Sequence, residues 1–268
     1  MKPKIKSIKE SLFLRNLKLA KSNPNKIGLM ILFDVLFLIS VYALYTLSLF
    51  FAQTIFIEKS LSTIFIFLIF SLTYYLIIIF AYSFFKFMIL DLIKSLFDIT
   101  KFSFKRLGLF YSLNIIIAGI FFAILLSFNF ILASVKQVYA PFVFLFLAIP
   151  YLLFLYIIIN TSHSIFYEGA SIKETIKKSF KITFTKIKIY RETILIMILF
   201  ALILWLLFLG SGYLIRFIGT KNYATYLTTY KYFRHSSIIV FDVIFYYLIL
   251  INRISFYMTV KKFTTSSW

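Results

Sequence analysis

The chain is 268 residues long, 62% hydrophobic and 14% charged, with a mean hydropathy of +0.97. Soluble domains average roughly 45–50% apolar and 25% charged residues, so composition excludes an ordinary soluble protein and indicates an all-α membrane protein. The absence of cysteine removes disulfide frameworks and thiolate chemistry. The net charge of +20 is read as attraction to anionic lipid headgroups and as a topology signal, not as nucleic-acid binding.

Residues 1–27 carry eight Lys/Arg and an S-x-x-E capping box at Ser7–Glu10. Ser22-Asn23-Pro24-Asn25 then reads as a break. The apolar run from Gly28 to Phe51 has no small-residue cleavage site and is expected to stay as a first transmembrane helix. Five further spans are predicted at residues 63–90, 108–133, 142–168, 192–217 and 237–260. The runs are continuous and not alternating, which selects helices over a barrel. The stretches outside these runs at 1–27, 91–107, 170–191 and 261–268 hold 21 of the 29 Lys/Arg. The positive-inside rule therefore places both termini on the cytoplasmic side of the cell membrane.

Three basic amphipathic segments, near 7–30, 91–110 and 171–190, divide the chain into units of about 7–90, 91–170 and 171–260, followed by a short tail, 261–268. In the third, Ser171 and Glu174 form a capping box, Ile172, Ile176, Phe180, Thr183 and Ile187 share one arc, and Lys177, Lys178, Lys181 and Lys188 lie opposite. Such a helix is expected to lie in the headgroup layer. In the second, Asp91 takes the N-cap position of Ser171. Lys101, Lys105 and Lys173 join the candidate headgroup contacts. Lys26-Ile27-Gly28-Leu29-Met30, Arg106-Leu107-Gly108-Leu109-Phe110 and Lys186-Ile187-Lys188-Ile189-Tyr190 are evenly spaced. The even-numbered spans end alike, on Tyr82-Ser83-Phe84-Phe85, His163-Ser164-Ile165-Phe166 and Ile254-Ser255-Phe256-Tyr257. Three parallel repeats of an interfacial helix plus a transmembrane hairpin follow as the expected architecture.

The stretch Gly169-Ala170-Ser171-Ile172-Lys173-Glu174-Thr175-Ile176-Lys177-Lys178-Ser179-Phe180 resembles a motif of polytopic membrane domains of the glycerophosphodiester phosphodiesterase type and of related prokaryotic six-helix membrane proteins. The resemblance covers residues 169–200 best and the remainder by hydropathy alone. In that family hydrolysis belongs to a separate soluble barrel, so the resemblance implies a fold, and no catalytic residue is carried over.

No P-loop, G-x-G-x-x-G, H-E-x-x-H or nucleophile elbow occurs in the sequence. His163 and His235 fall near opposite membrane faces, so no shared metal and no cofactor is expected, and His163 reads as a hydrogen-bonded interfacial residue. Ionisable side chains inside spans are the default functional candidates; Asp34, Arg216, Asp242 and Arg253 stand out. Matching depths suggest an Asp34–Arg253 pair and an Arg216–Asp242 pair. Asn114, Asn129 and Asn160 read as interhelical hydrogen-bonding groups. Tyr223, Tyr226, Tyr230, Tyr232 and Phe233, on an outer loop, read as an aromatic belt. These features favour a non-enzymatic scaffold or subunit contacting anionic lipid or a protein partner over a solute or lipid transporter, with an intramembrane enzyme third.

Overall fold

The computed structural model describes residues 11–55, 61–100, 102–185, 190–218 and 223–265. Its elements, all helical, are α1 (Leu12–Ser22), α2 (Pro24–Ile55), α3 (Leu61–Ser95), α4 (Phe104–Ala133), α5 (Ala140–Tyr167), α6 (Ile172–Thr185), α7 (Arg191–Ile218) and α8 (Tyr223–Thr265). Six of them, all except α1 and α6, are long and apolar enough to cross a membrane. The chain is a helical integral membrane protein.

The local signals explain most boundaries. The predicted break falls between α1 and α2, where Pro24 takes the first helical position, at which its missing N–H costs nothing. At the end of α5 the chain reverses through Gly169, whose φ of +106° is a conformation side chains rarely adopt. Ser171 caps α6 through its hydroxyl, which accepts from the Glu174 N–H at 3.4 Å. The Glu174 carboxylate is exposed and makes no return bond, so only half of the expected box forms. Ser7 and Glu10, the other expected box, lie outside the described residues.

Two expected elements differ. No separate helix forms after Asp91, which lies inside α3. Ile89, Leu90 and Ile93 are buried; this continuing apolar stripe carries α3 past the polar residue, and residues 96–100 and 102–103 are turn and irregular link. The expected outer loop around Tyr223–Ser237 is instead the start of α8. Tyr223, Tyr226, Tyr230 and Phe233 stack in sequence at 6.3, 5.7 and 6.5 Å between ring centroids, a helical ladder of i,i+3 and i,i+4 pairs.

The chain divides into two compact units, Met1–Ser22 with Lys186–Thr259, and Asn23–Thr185 with Val260–Trp268. In the larger unit, α2 and α3 form one antiparallel hairpin and α4 and α5 a second, with rings packed across each, Phe37 on Tyr82 and Phe121 on Tyr151. In the smaller, α1 packs on α7 through Phe13 and Phe200.

Burial is uneven along the helices of the larger unit. On α3 the side chains of Ile64 to Ile69 and of Leu72 are exposed, whereas Ser83, Lys86, Phe87, Ile89, Leu90 and Ile93 are buried. On α5, Phe142, Phe144, Leu145 and Phe146 are exposed and Ile157 to Tyr167 are largely buried. Hydrocarbon about 30 Å thick needs roughly 20 helical residues. The 35 residues of α3 exceed that by roughly 20 Å at 1.5 Å per residue. The packed core occupies one end of that length, and the exposed length is apolar surface suited to lipid.

Candidate functional site

The packed end of the larger unit is where polar side chains gather. Ser83 of α3 donates to the Ile79 carbonyl at 2.6 Å and accepts from the Asn114 amide of α4 at 2.9 Å. Asn114 Oδ1 lies 2.7 Å from His163 Nε2 of α5. Because the Asn114 amide nitrogen already donates to Ser83, Oδ1 is the acceptor, and His163 must carry its proton on Nε2. All three side chains are buried, with His163 tilted against the Phe110 ring at 4.7 Å. The relay ties three helices together at one level. Asn160 bonds its own helix at Tyr156 O, and Asn129 is exposed, so of the three asparagines Asn114 is the one seen to bridge helices.

Nearer the helix ends, basic side chains terminate helices. Lys26 Nζ donates to Ser95 O, the last residue of α3, at 2.6 Å. Arg106 donates to Phe166 O and Tyr167 O at the end of α5, at 2.9 and 3.3 Å, and Lys94 reaches Tyr167 O at 3.2 Å. The last carbonyls of a helix have no intrahelical donor and carry the negative end of its dipole, so cations fit there. The Arg106 guanidinium also lies 5.5 Å from the Tyr167 ring centroid. Asp91 accepts from the Tyr167 hydroxyl at 2.7 Å and from Thr100 at 3.1 Å, and Lys261 pairs with Asp98.

Lys86 escapes notice in the sequence, where one lysine barely dents the hydropathy of its span, yet it is buried at 7% exposure. The α2/α3 hairpin sets Phe37 beside Tyr82 and Phe85, at 5.8 and 6.2 Å. Asp34 is one turn before Phe37 on α2, and Lys86 is one turn after Tyr82 on antiparallel α3, so the two are brought level on facing stripes. Asp34 is therefore opposite Lys86 within its own unit, whereas Arg253 belongs to the other unit.

The Arg216–Asp242 pairing does not form, and both side chains are exposed. A methyl placed on Gly212 would lie 3.6 Å from the Phe233 ring, and Phe208 meets Phe241 at 6.5 Å. That register sets Asp242 level with the middle of α7 and Arg216 roughly 12–15 Å away along the helix axis.

On α6 the buried stripe is turned a little to one side of the expected apolar arc. Thr175, Ser179 and Thr183 are the buried stripe, and Phe180 and Phe184 pack on Phe154 of α5 at 6.1 and 5.1 Å. Phe154 lies roughly 20 Å before the end of α5. The helix therefore turns back along α5, its short hydroxyl side chains permitting close approach. Lys173, Lys177, Lys178 and Lys181 are exposed, as is Lys105 at the start of α4; Lys101 and Lys188 lie outside the described residues.

In the smaller unit Glu192 of α7 receives the Ser11 hydroxyl at 2.6 Å and the Phe13 N–H at 3.2 Å, a carboxylate at the positive end of α1. Asn16 donates to Ser255 at 2.6 Å, and Ser255 donates to Ile251 O at 3.0 Å. His235 is exposed on α8, near Lys231 O. Among the described residues no group of three His, Asp or Glu is placed to hold a metal ion. Comparison of the chain with protein-family models, curated proteins and solved structures gives no match.

Proposed function

We propose that this protein is a non-catalytic membrane scaffold or subunit whose basic end faces the cytoplasm and engages anionic lipid headgroups. The observation that carries the reading is the division of labour among its cations. Lys26, Lys94 and Arg106 are spent on helix ends, whereas Lys105, Lys173, Lys177, Lys178 and Lys181 are exposed around the same end of the molecule. A juxtamembrane lysine gains about 1 kcal/mol near an anionic surface. α6 turns back along α5 beside the helix length that exceeds the hydrocarbon, a position that lets its lysines reach phosphates.

The test is reconstitution into vesicles of graded anionic-lipid content, with thermal unfolding, solute leak and lipid scrambling read on the same preparations. Anionic lipid is expected to raise the melting temperature by several degrees, and Lys177→Gln with Lys178→Gln and Lys181→Gln to remove most of that gain, while the vesicles stay tight. Leak or scrambling that rises with protein dose would replace this reading by transport.

A further inference from the structure

At the opposite end of the smaller unit, remote from Glu192, α7 and α8 part to form an open cleft of about 380 Å³. Its walls are apolar: Trp205, Phe208 and Leu209 from α7, and Phe233, Ile238 and Phe241 from α8. Arg234 and Ser237 are polar groups on its lining. The contact between Gly212 and the Phe233 ring bounds it toward the helix tips, and the Phe208–Phe241 contact bounds it below.

Arg234 lies beside Phe233, hence level with Gly212, roughly 9 Å short of the end of α7. That is shallow enough for a long basic side chain to reach the headgroup layer while its stem lies along apolar surface. Arg234 is exposed, and among the described residues neither it nor Ser237 has a hydrogen-bond or ion-pair partner in the protein. A guanidinium at that depth calls for an anion, and phosphate accepts from its fork of donors in parallel. Below it, ring faces and an isoleucine offer a largely apolar channel.

We propose that this cleft seats one anionic phospholipid, its phosphate on Arg234 and the Ser237 hydroxyl and an acyl chain along Trp205, Phe208 and Phe241. The site uses none of the lysines of the basic end, so its failure and theirs are distinguishable.

Trp205 supplies the probe. The sequence has two tryptophans, and Trp268→Phe leaves Trp205 as the sole emitter. In zwitterionic vesicles doped with phospholipid brominated on the acyl chain, brominated phosphatidylglycerol is expected to quench Trp205 at a several-fold lower mole fraction than brominated phosphatidylcholine. Arg234→Gln should bring the two curves together, and Arg234→Lys should keep most of the difference. Equal quenching by both lipids in the Trp268→Phe protein, or a preference that survives Arg234→Gln, would overturn the assignment. If Trp268→Phe folds poorly, subtracting the emission of a Trp205→Phe protein from wild type gives the same curves.

Discussion

Two stretches of α3 are built from similar residues and meet different surroundings. From Ile64 to Leu72 the helix turns large apolar side chains outward, and no residue of its most apolar window is buried. From Ser83 to Ile93 it buries nearly every side chain that points at α2, α4 or α5, and the buried set includes a serine and a lysine. Lipid tails are as apolar as leucine, so the first stretch gains little from helix contact. In the second stretch, packing and buried hydrogen bonds discriminate between right and wrong neighbours. Adhesion between helices is concentrated in the stretch that carries the polar partners.

The sharpest way to break that contrast is at Lys86. Facing one another across α2 and α3, Lys86 and Asp34 are expected to pair, and removing one member of a buried ion pair typically costs about 3–5 kcal/mol. Lys86→Met is therefore expected to lower stability by an amount in the lower part of that range, since Asp34 is only half-buried. The reversal Asp34→Lys with Lys86→Asp should restore most of the loss. Unfolding in detergent followed by circular dichroism measures both, and a silent Lys86→Met would separate the two residues.

Next in size is the relay. Asn114→Leu leaves the His163 N–H without its acceptor and takes a donor from Ser83, at a cost of about 1–3 kcal/mol. Adding His163→Phe removes the stranded N–H and should return part of it, which a double-mutant cycle resolves. The smallest effect is expected in the outward stretch. Ile69→Ala and Phe146→Ala should each change stability by less than about 0.5 kcal/mol, as exposed substitutions do. A loss of 2 kcal/mol at either, in the same unfolding assay, would show a buried contact on a face assigned here to lipid.

Much of this was legible in the sequence because it is local. Continuous apolar runs marked six spans, Pro24 marked a break, and the serines near the ends of the even-numbered spans share one local bonding pattern. Ser83, Ser164 and Ser255 each donate to the carbonyl four residues back, and both Ser83 and Ser255 accept from an asparagine of another helix, Asn114 and Asn16. Lys26 and Arg106, in matching segments, likewise both end helices.

What failed to show is non-local. Asp91 has the chemistry of an N-cap, but the stripe formed by Ile89, Leu90 and Ile93 decided that the helix continues. Depth counted from span ends paired Arg216 with Asp242, yet the register of α7 on α8 is set by Gly212 against Phe233, which no count along one chain reveals. Lys86 was readable in principle, as an ionisable group inside a span on the same stripe as Tyr82 and Ile89.

The length by which α3 exceeds the hydrocarbon has a further consequence. Membranes differ in thickness by several ångströms, and most spanning proteins answer by tilting or by deforming the bilayer around them, at a cost for each ångström of mismatch. In α3 the buried side chains gather at one end, from Ser83 to Ile93, apart from the exposed apolar length. A thicker or thinner bilayer changes only how much of the smooth outer lengths is wetted by lipid. The larger unit is suited to keep its packed end intact in bilayers of different thickness.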